Sequence, residues 1–192
     1  MKNFILSIAA LLLVETSVFS QVSIGVKTGV NFAASKFKTE AFYEKHSGSG
    51  FHGGVYVNTK LNKTFSIQTE VLYNSLTVVV DDQIITSGYI SNPVMLVVGF
   101  FKNRINVQAG PQIGMLVSMD PKELKELEVY KGGDFTVNVG VGFNVKKFNA
   151  TIRYGVGLAN IAGDSLTQHD PDYSIKYDNL QVSVGYRIFG SN

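Results

Sequence analysis

The sequence predicts an all-β protein, an eight-stranded antiparallel up-and-down transmembrane β-barrel. Three observations lead there. Eight stretches alternate apolar with small or polar residues. The connections between them are by turns very short and long. The chain also opens on an export signal. Successive strand side chains point to opposite faces, so a strict period of two gives each stretch one greasy face and one polar face.

Residues 1–20 read as a cleaved signal peptide. Lys2 is a minimal positive start, and Phe4–Val14 is an apolar run too short to cross a bilayer. Val18-Phe19-Ser20 then places tolerated residues before Gln21, although Glu15 is unusual so close to a cleavage point. The barrel domain would be 21–192.

The eight strands expected are Val22–Phe32, Phe51–Leu61, Thr64–Thr77, Tyr89–Phe101, Arg104–Val117, Asp134–Val145, Phe148–Ile161 and Tyr177–Phe189. The sixth shows the rule best. Phe135, Val137, Val139, Val141, Phe143 and Val145 alternate with Thr136, Asn138, Gly140, Gly142 and Asn144. Leu61-Asn62-Lys63, Lys102-Asn103 and Lys146-Lys147 are tight turns. Ala33–Gly50, Val78–Gly88, Ser118–Gly133 and Ala162–Lys176 are expected as long polar loops. Short turns at one end and long loops at the other are the pattern of outer-membrane barrels, with the loops outside the cell and both termini periplasmic.

Parity then assigns faces. Outward positions include Ile24, Val26 and Val30; Phe65, Ile67, Val71 and Tyr73; Ile105, Val107 and Ile113; Ile152, Tyr154, Val156 and Leu158; and Val182, Val184, Tyr186 and Ile188. Inward positions include Lys27, Asn31, His52, Tyr56, Lys60, Gln68, Glu70, Asn74, Gln108, Gln112, Arg153, Gln181, Ser183 and Arg187. Many inward positions are glycine, which suits a narrow lumen. Pro111 removes a ladder donor in the fifth strand, so a bulge is expected there. The fourth strand, Pro93-Val94-Met95-Leu96-Val97-Val98, is apolar on both faces and its parity stays open.

Composition excludes several chemistries. The chain has no cysteine, hence no lipobox attachment, disulfide or thiolate metal site. Net charge is +2 with Lys and Arg scattered, so no nucleic-acid partner is expected. After residue 20 no stretch is long and apolar enough for a membrane helix. A membrane location therefore requires a closed barrel, because open strand edges are not tolerated in hydrocarbon.

The inward charges Glu70, Arg153, Arg187 and Lys27 are the candidate site, read as a structural lumen network with Lys60 nearby. Buried charges need partners, and eight strands leave room mainly for their own side chains. A gate or ion path is the competing reading. His46 or His52 could join Asp81, Asp82 and Ser87 in acyl transfer if the outer loops converged, but no G-x-S-x-G occurs and no catalytic site is expected. Asp164, Asp170, Asp172 and Asp178 match no calcium-loop spacing, so neither metal nor cofactor is expected. Asp120-Pro121-Lys122-Glu123 reads as a helix start in loop three. A secreted lipocalin-like barrel would invert the faces, with the apolar side inward; the export signal, inward glycines and loop lengths favour the membrane.

Six segments in order resemble the outer-membrane β-barrel family common in Bacteroidota, often labelled porin-family or PorT-like. They are V-S-I-G-V-K-T-G-V-N-F at the start, F-S-I-Q-T-E-V-L-Y-N-S at 65–75, Tyr89–Val94 with its proline, V-Q-A-G-P-Q-I-G-M-L at 107–116, I-R-Y-G-V-G-L-A-N-I at 152–161 and V-S-V-G-Y-R-I-F at 182–189. The resemblance spans essentially all of 22–189. Asn92 stands where the family usually has an apolar residue, Val97 where it often has an inward lysine, and Gly190-Ser191-Asn192 follows an aromatic that often ends the chain. The resemblance implies outer-membrane lipid as surroundings and the barrel-assembly machinery as partner during insertion. A structural role or a loop-binding partner is expected, with a secretion-accessory barrel or narrow pore as alternatives.

Overall fold

The computed structural model describes residues 21–38, 43–80, 83–120, 133–158 and 174–190. Eight antiparallel strands close into a barrel in simple chain order. They are β1 (Val22–Lys38), β2 (Tyr43–Lys60), β3 (Phe65–Val80), β4 (Gln83–Phe100), β5 (Ile105–Asp120), β6 (Gly133–Val145), β7 (Phe148–Gly157) and β8 (Ser174–Phe189). The β1–β8 pairing closes the wall, from Ile24↔Phe189 to Lys38↔Ser174, with a one-residue bulge between Ile24 and Gly25. Gly190 folds back with φ +86°, and a Cβ there would lie 2.6 Å from Ser23 Cα. Gln21 and Gly190 therefore sit at the same end of the barrel as the tight turns.

Parity holds through the apolar belt and changes phase in β5 between Leu116 and Met119, both buried. Val139, Val141 and Phe143 of β6 are more than half exposed, while Thr136 and Asn138 between the outward residues are buried. Every outward residue expected from the sequence is exposed. A continuous apolar belt of this size on a water-facing surface would be strongly unfavourable, whereas in hydrocarbon it is the ordinary outer wall. The lipocalin-like arrangement is inverted relative to this, since the polar faces here point inward. The fourth strand also resolves: Pro93, Met95 and Val97 face the lumen, and Val94 and Leu96 face out.

Three expectations need correction. The stretches Ala33–Gly50 and Val78–Gly88 are mostly strand, not long loops. Partners continue without a break from Ala33↔Gly48 to Lys38↔Tyr43, and from Val78↔Ile85 to Val80↔Gln83. A ladder is held by backbone groups alone. Beyond the apolar belt it has no greasy face to maintain, so the periodic signal fades while the strand continues. Asp120 ends β5, and the helix expected after it lies outside the described residues, as do most of loop four and the signal peptide.

Pro111 causes no register shift. Pairing of β5 with β6 runs through Pro111↔Val137, and the β4–β5 offset is the same at Pro93↔Gln112 and at Leu96↔Ala109. The β4–β5 irregularity falls between Gly88 and Tyr89. Pro93 is compensated differently. It stands opposite Glu70 and has no N–H to give, so the Asn92 side-chain amide donates to the Glu70 carbonyl at 2.6 Å. The third correction concerns Arg187 and belongs with the lumen.

The turn end is unusually strained. Phe101, Lys102 and Asn103 all have positive φ (52°, 59° and 61°), as does Lys146 (54°). Non-glycine residues rarely adopt this region, Asn least reluctantly.

Candidate functional site: the filled lumen

Registers sort the inward residues into layers. Nearest the turns is an open cup. Above it lies a charged layer built by Lys27 of β1, Glu70 of β3 and Arg153 of β7. Glu70 Oε1 accepts from Lys27 Nζ at 2.5 Å, Arg153 Nη2 at 2.5 Å and Gln68 Nε2 at 2.6 Å, and Oε2 accepts from Arg153 Nη1 at 2.8 Å. The Arg153–carboxylate contact is thus bidentate, the strongest geometry for such a pair. Arg153 Nε donates onward to Gln108 Oε1 at 2.7 Å, and Gln108 to Asn106 Oδ1 at 3.0 Å. Lys27 Nζ also stands 5.9 Å from the Tyr56 ring centroid. The side chains of Lys27, Glu70 and Arg153 are at most 1% exposed.

Small neighbours make room for this. A Cβ on Gly140 would lie 2.7 Å from Arg153 Cγ, so Arg153 can cross the lumen only because its β6 partner lacks a side chain. Leu72 and Met95, both fully buried, pack the lumen on the next rungs of β3 and β4.

Arg187 does not join Glu70. Its Nη2 donates to the Lys146 carbonyl at 2.9 Å, at the turn end. Parity gives a residue's face but not its height, and Arg187 pairs with Gly25, one inward rung nearer the turns than Lys27. The charged layer is therefore Lys27–Glu70–Arg153, with Arg187 in the cup below.

Further from the turns the lumen is held by neutral groups. Asn74 Nδ2 donates to the Leu72 carbonyl at 3.3 Å and Ser91 Oγ at 2.8 Å. A carbonyl only accepts, which fixes the orientation of the Asn74 amide. Asn74 Oδ1 then accepts from Asn31 Nδ2 at 3.2 Å, leaving Asn31 Oδ1 to face His52 Nδ1 at 2.6 Å. Nδ1 must carry the proton, and Nε2 accepts from Ser183 Oγ at 2.8 Å. Ser183, His52 and Asn31 thus have the polarity of a nucleophilic relay. All three are buried, with His52 at 0% exposure. His52 is a lumen residue rather than a loop residue, and Ser87 is likewise buried in β4. Asp81, Asp82, Asp164, Asp170, Asp172 and His169 lie outside the described residues. Asp178 is covered at the outer rim, where Tyr154 Oη donates to it at 2.9 Å. No group of three or more metal-binding side chains occurs among the described residues.

Sequence reasoning placed Asn31, Ser183 and Gln108 on the inner face but missed their contacts. Ser183 and His52 are 131 residues apart, and only barrel closure brings them together.

A closed eight-stranded wall, greasy outside and polar inside, also marks the chain in comparisons with known proteins. The profile of the outer membrane protein beta-barrel domain family matches residues 16–163. The chain belongs to this family. It is an outer-membrane protein embedded in lipid, which accounts for the exposed apolar belt. The barrel is similar in fold to the crystal structure of Neisserial surface protein A, with a TM-score of 0.55 and 10% identity over 85% of this chain and 97% of that one. Ail, the attachment invasion locus protein of Yersinia pestis, aligns with a TM-score of 0.46 and 12% identity over 88% of this chain and 99% of that one. OprG from Pseudomonas aeruginosa aligns with a TM-score of 0.45 and 9% identity, over 90% and 98% of the two chains. At such identities the likeness concerns fold alone. Curated protein sequences give no match.

Proposed function

We propose that this outer-membrane barrel is a plugged wall element, whose role is to stabilise the envelope or to present its loops to a partner. The carrying observation is the charged layer. Glu70 is clamped by Arg153 on both oxygens and by Lys27, directly across the path an ion would take. The cluster holds two cations and one anion, so it repels a permeating cation as well as blocking it sterically. Planar-bilayer recording tests this reading. Large, steady conductance from the folded monomer would overturn it in favour of a narrow pore.

The export signal, the apolar belt and the clustering of turns with the chain ends support a periplasmic turn side, extracellular loops and insertion by the barrel-assembly machinery. The six ordered motifs support a place in the Bacteroidota, PorT-like branch. A secretion-accessory role rests on that resemblance alone.

The proposal includes no enzymatic activity. The Ser183–His52–Asn31 relay has the hydrogen-bond order of an activated serine, but Ser183 Oγ does not line the cup. A fluorophosphonate probe added to the folded protein in detergent should leave Ser183 unmodified. Stoichiometric labelling, lost in His52→Leu, would reverse this conclusion.

A further inference from the structure

The cup at the turn end is more than a gap below the charged layer. Its volume is about 70 Å³, and none of the residues that line it is acidic. Lys60, Lys146 and Arg187 contribute positive charge, and Asn58, Asn149 and Tyr56 line the wall with polar groups. Among the described residues the Lys60 ammonium has neither a carboxylate nor a hydrogen-bond partner. It stands within electrostatic reach of Arg187, a like charge. The Tyr56 hydroxyl accepts from Asn149 Nδ2 at 3.1 Å and has a hydrogen of its own still to donate. The floor of the cup is set by Gln68 and Gln108, which hold Glu70 and Arg153 from the other side.

A concave site with low-dielectric walls focuses the field of its charges. Here no carboxylate among the lining residues offsets that field, and Glu70 in the layer above is already committed to Lys27 and Arg153. We propose that the cup binds an oxyanion, a phosphate or carboxylate group presented from the turn side, with Lys60 and Arg187 as charge partners and Tyr56 as a neutral donor. The site depends on the local geometry and not on the role proposed for the barrel. Lys147 also lines the cup, but its ammonium stands 5.9 Å from the ring centroid of Tyr186, and it is not assigned as a charge partner.

The test follows the side-chain amide resonances of Asn58 and Asn149 by NMR, with the full chain in nanodiscs. In discs of zwitterionic phosphatidylcholine, inorganic phosphate should shift both resonances saturably. Lys60→Gln should weaken binding at least about tenfold, the loss expected for one charged contact, and Lys60→Arg should retain it. Lys63→Gln, at the same end but outside the cup, should change nothing. A second arm replaces part of the lipid with phosphatidylglycerol. Shifts appearing there without added phosphate would identify a lipid headgroup as the source of the oxyanion, and their absence would identify a soluble one. No saturable shift in either arm would overturn the proposal. An equal response in Lys60→Gln and Lys63→Gln would overturn it as well.

Discussion

The charged layer and the neutral belt above it fill the same lumen by different physics. Around Glu70, four short contacts from three donors converge on two oxygens. Around His52, each group gives and receives in a directed chain from Ser183 to Ser91. The first layer is held by charge, and its failure should be abrupt, because removal of Glu70 strands two like charges in a buried interior. The second is held by matched donors and acceptors, and its failure should be graded, since each broken link strands only neutral groups.

The sharpest way to break the comparison is Glu70→Ala. It leaves Lys27 and Arg153 buried and uncompensated, with an expected loss of about 3–5 kcal/mol. The chain has no tryptophan, so urea unfolding in lipid vesicles is best followed by the heat-dependent gel mobility of the folded barrel. Replacing Lys27, Glu70 and Arg153 together by Met, Leu and Met should return stability to near the native level, because no charge is then stranded. If the single and triple variants are equally unstable, the layer matters for shape rather than for charge.

His52→Leu should cost about 1–3 kcal/mol, by leaving Asn31 Oδ1 and the Ser183 hydroxyl without partners. A loss as large as that of Glu70→Ala would erase the distinction between the layers. Gly140→Ala tests the space that admits Arg153, and overpacking there should cost about 1–3 kcal/mol. Asn92→Ala removes the donor to the Glu70 carbonyl and should cost about 1 kcal/mol, read by the same urea midpoint. Smallest, and opposite in sign, is Gly53→Ala. A Cβ there would meet nothing closer than 3.8 Å, so stability should rise by about 0.4–1 kcal/mol.

The two layers also show what a sequence can and cannot state. Alternation placed Lys27, His52, Glu70 and Arg153 on the inner face without error, because period two is a property of one strand. It could not say which of them share a level. Level depends on the stagger between strands, and that is settled by pairings such as Lys27↔Gly54 and Gly140↔Arg153. Face alone therefore groups Arg187 with Glu70. The upper parts of β1 to β4 escape the pattern for a related reason. Ser35, Lys36, Glu44 and Lys45 have loop-like chemistry, yet their backbones pair rung for rung. In the sequence Asn92 is only an oddity; its use follows from Pro93 standing opposite Glu70.

The β1–β8 seam has a consequence for the order of the chain itself. Residues 22 and 190 lie side by side, and the seam is hydrogen-bonded like any other pair of neighbours. The finished wall thus keeps no record of where the polypeptide starts. A short linker joining 21 to 190, with new ends cut at Lys146-Lys147, would give a circular permutant with the same rungs and the same lumen contacts. What the cut would change is the history of assembly: β7–β8 would become the first hairpin made and β6–β7 the last seam to close.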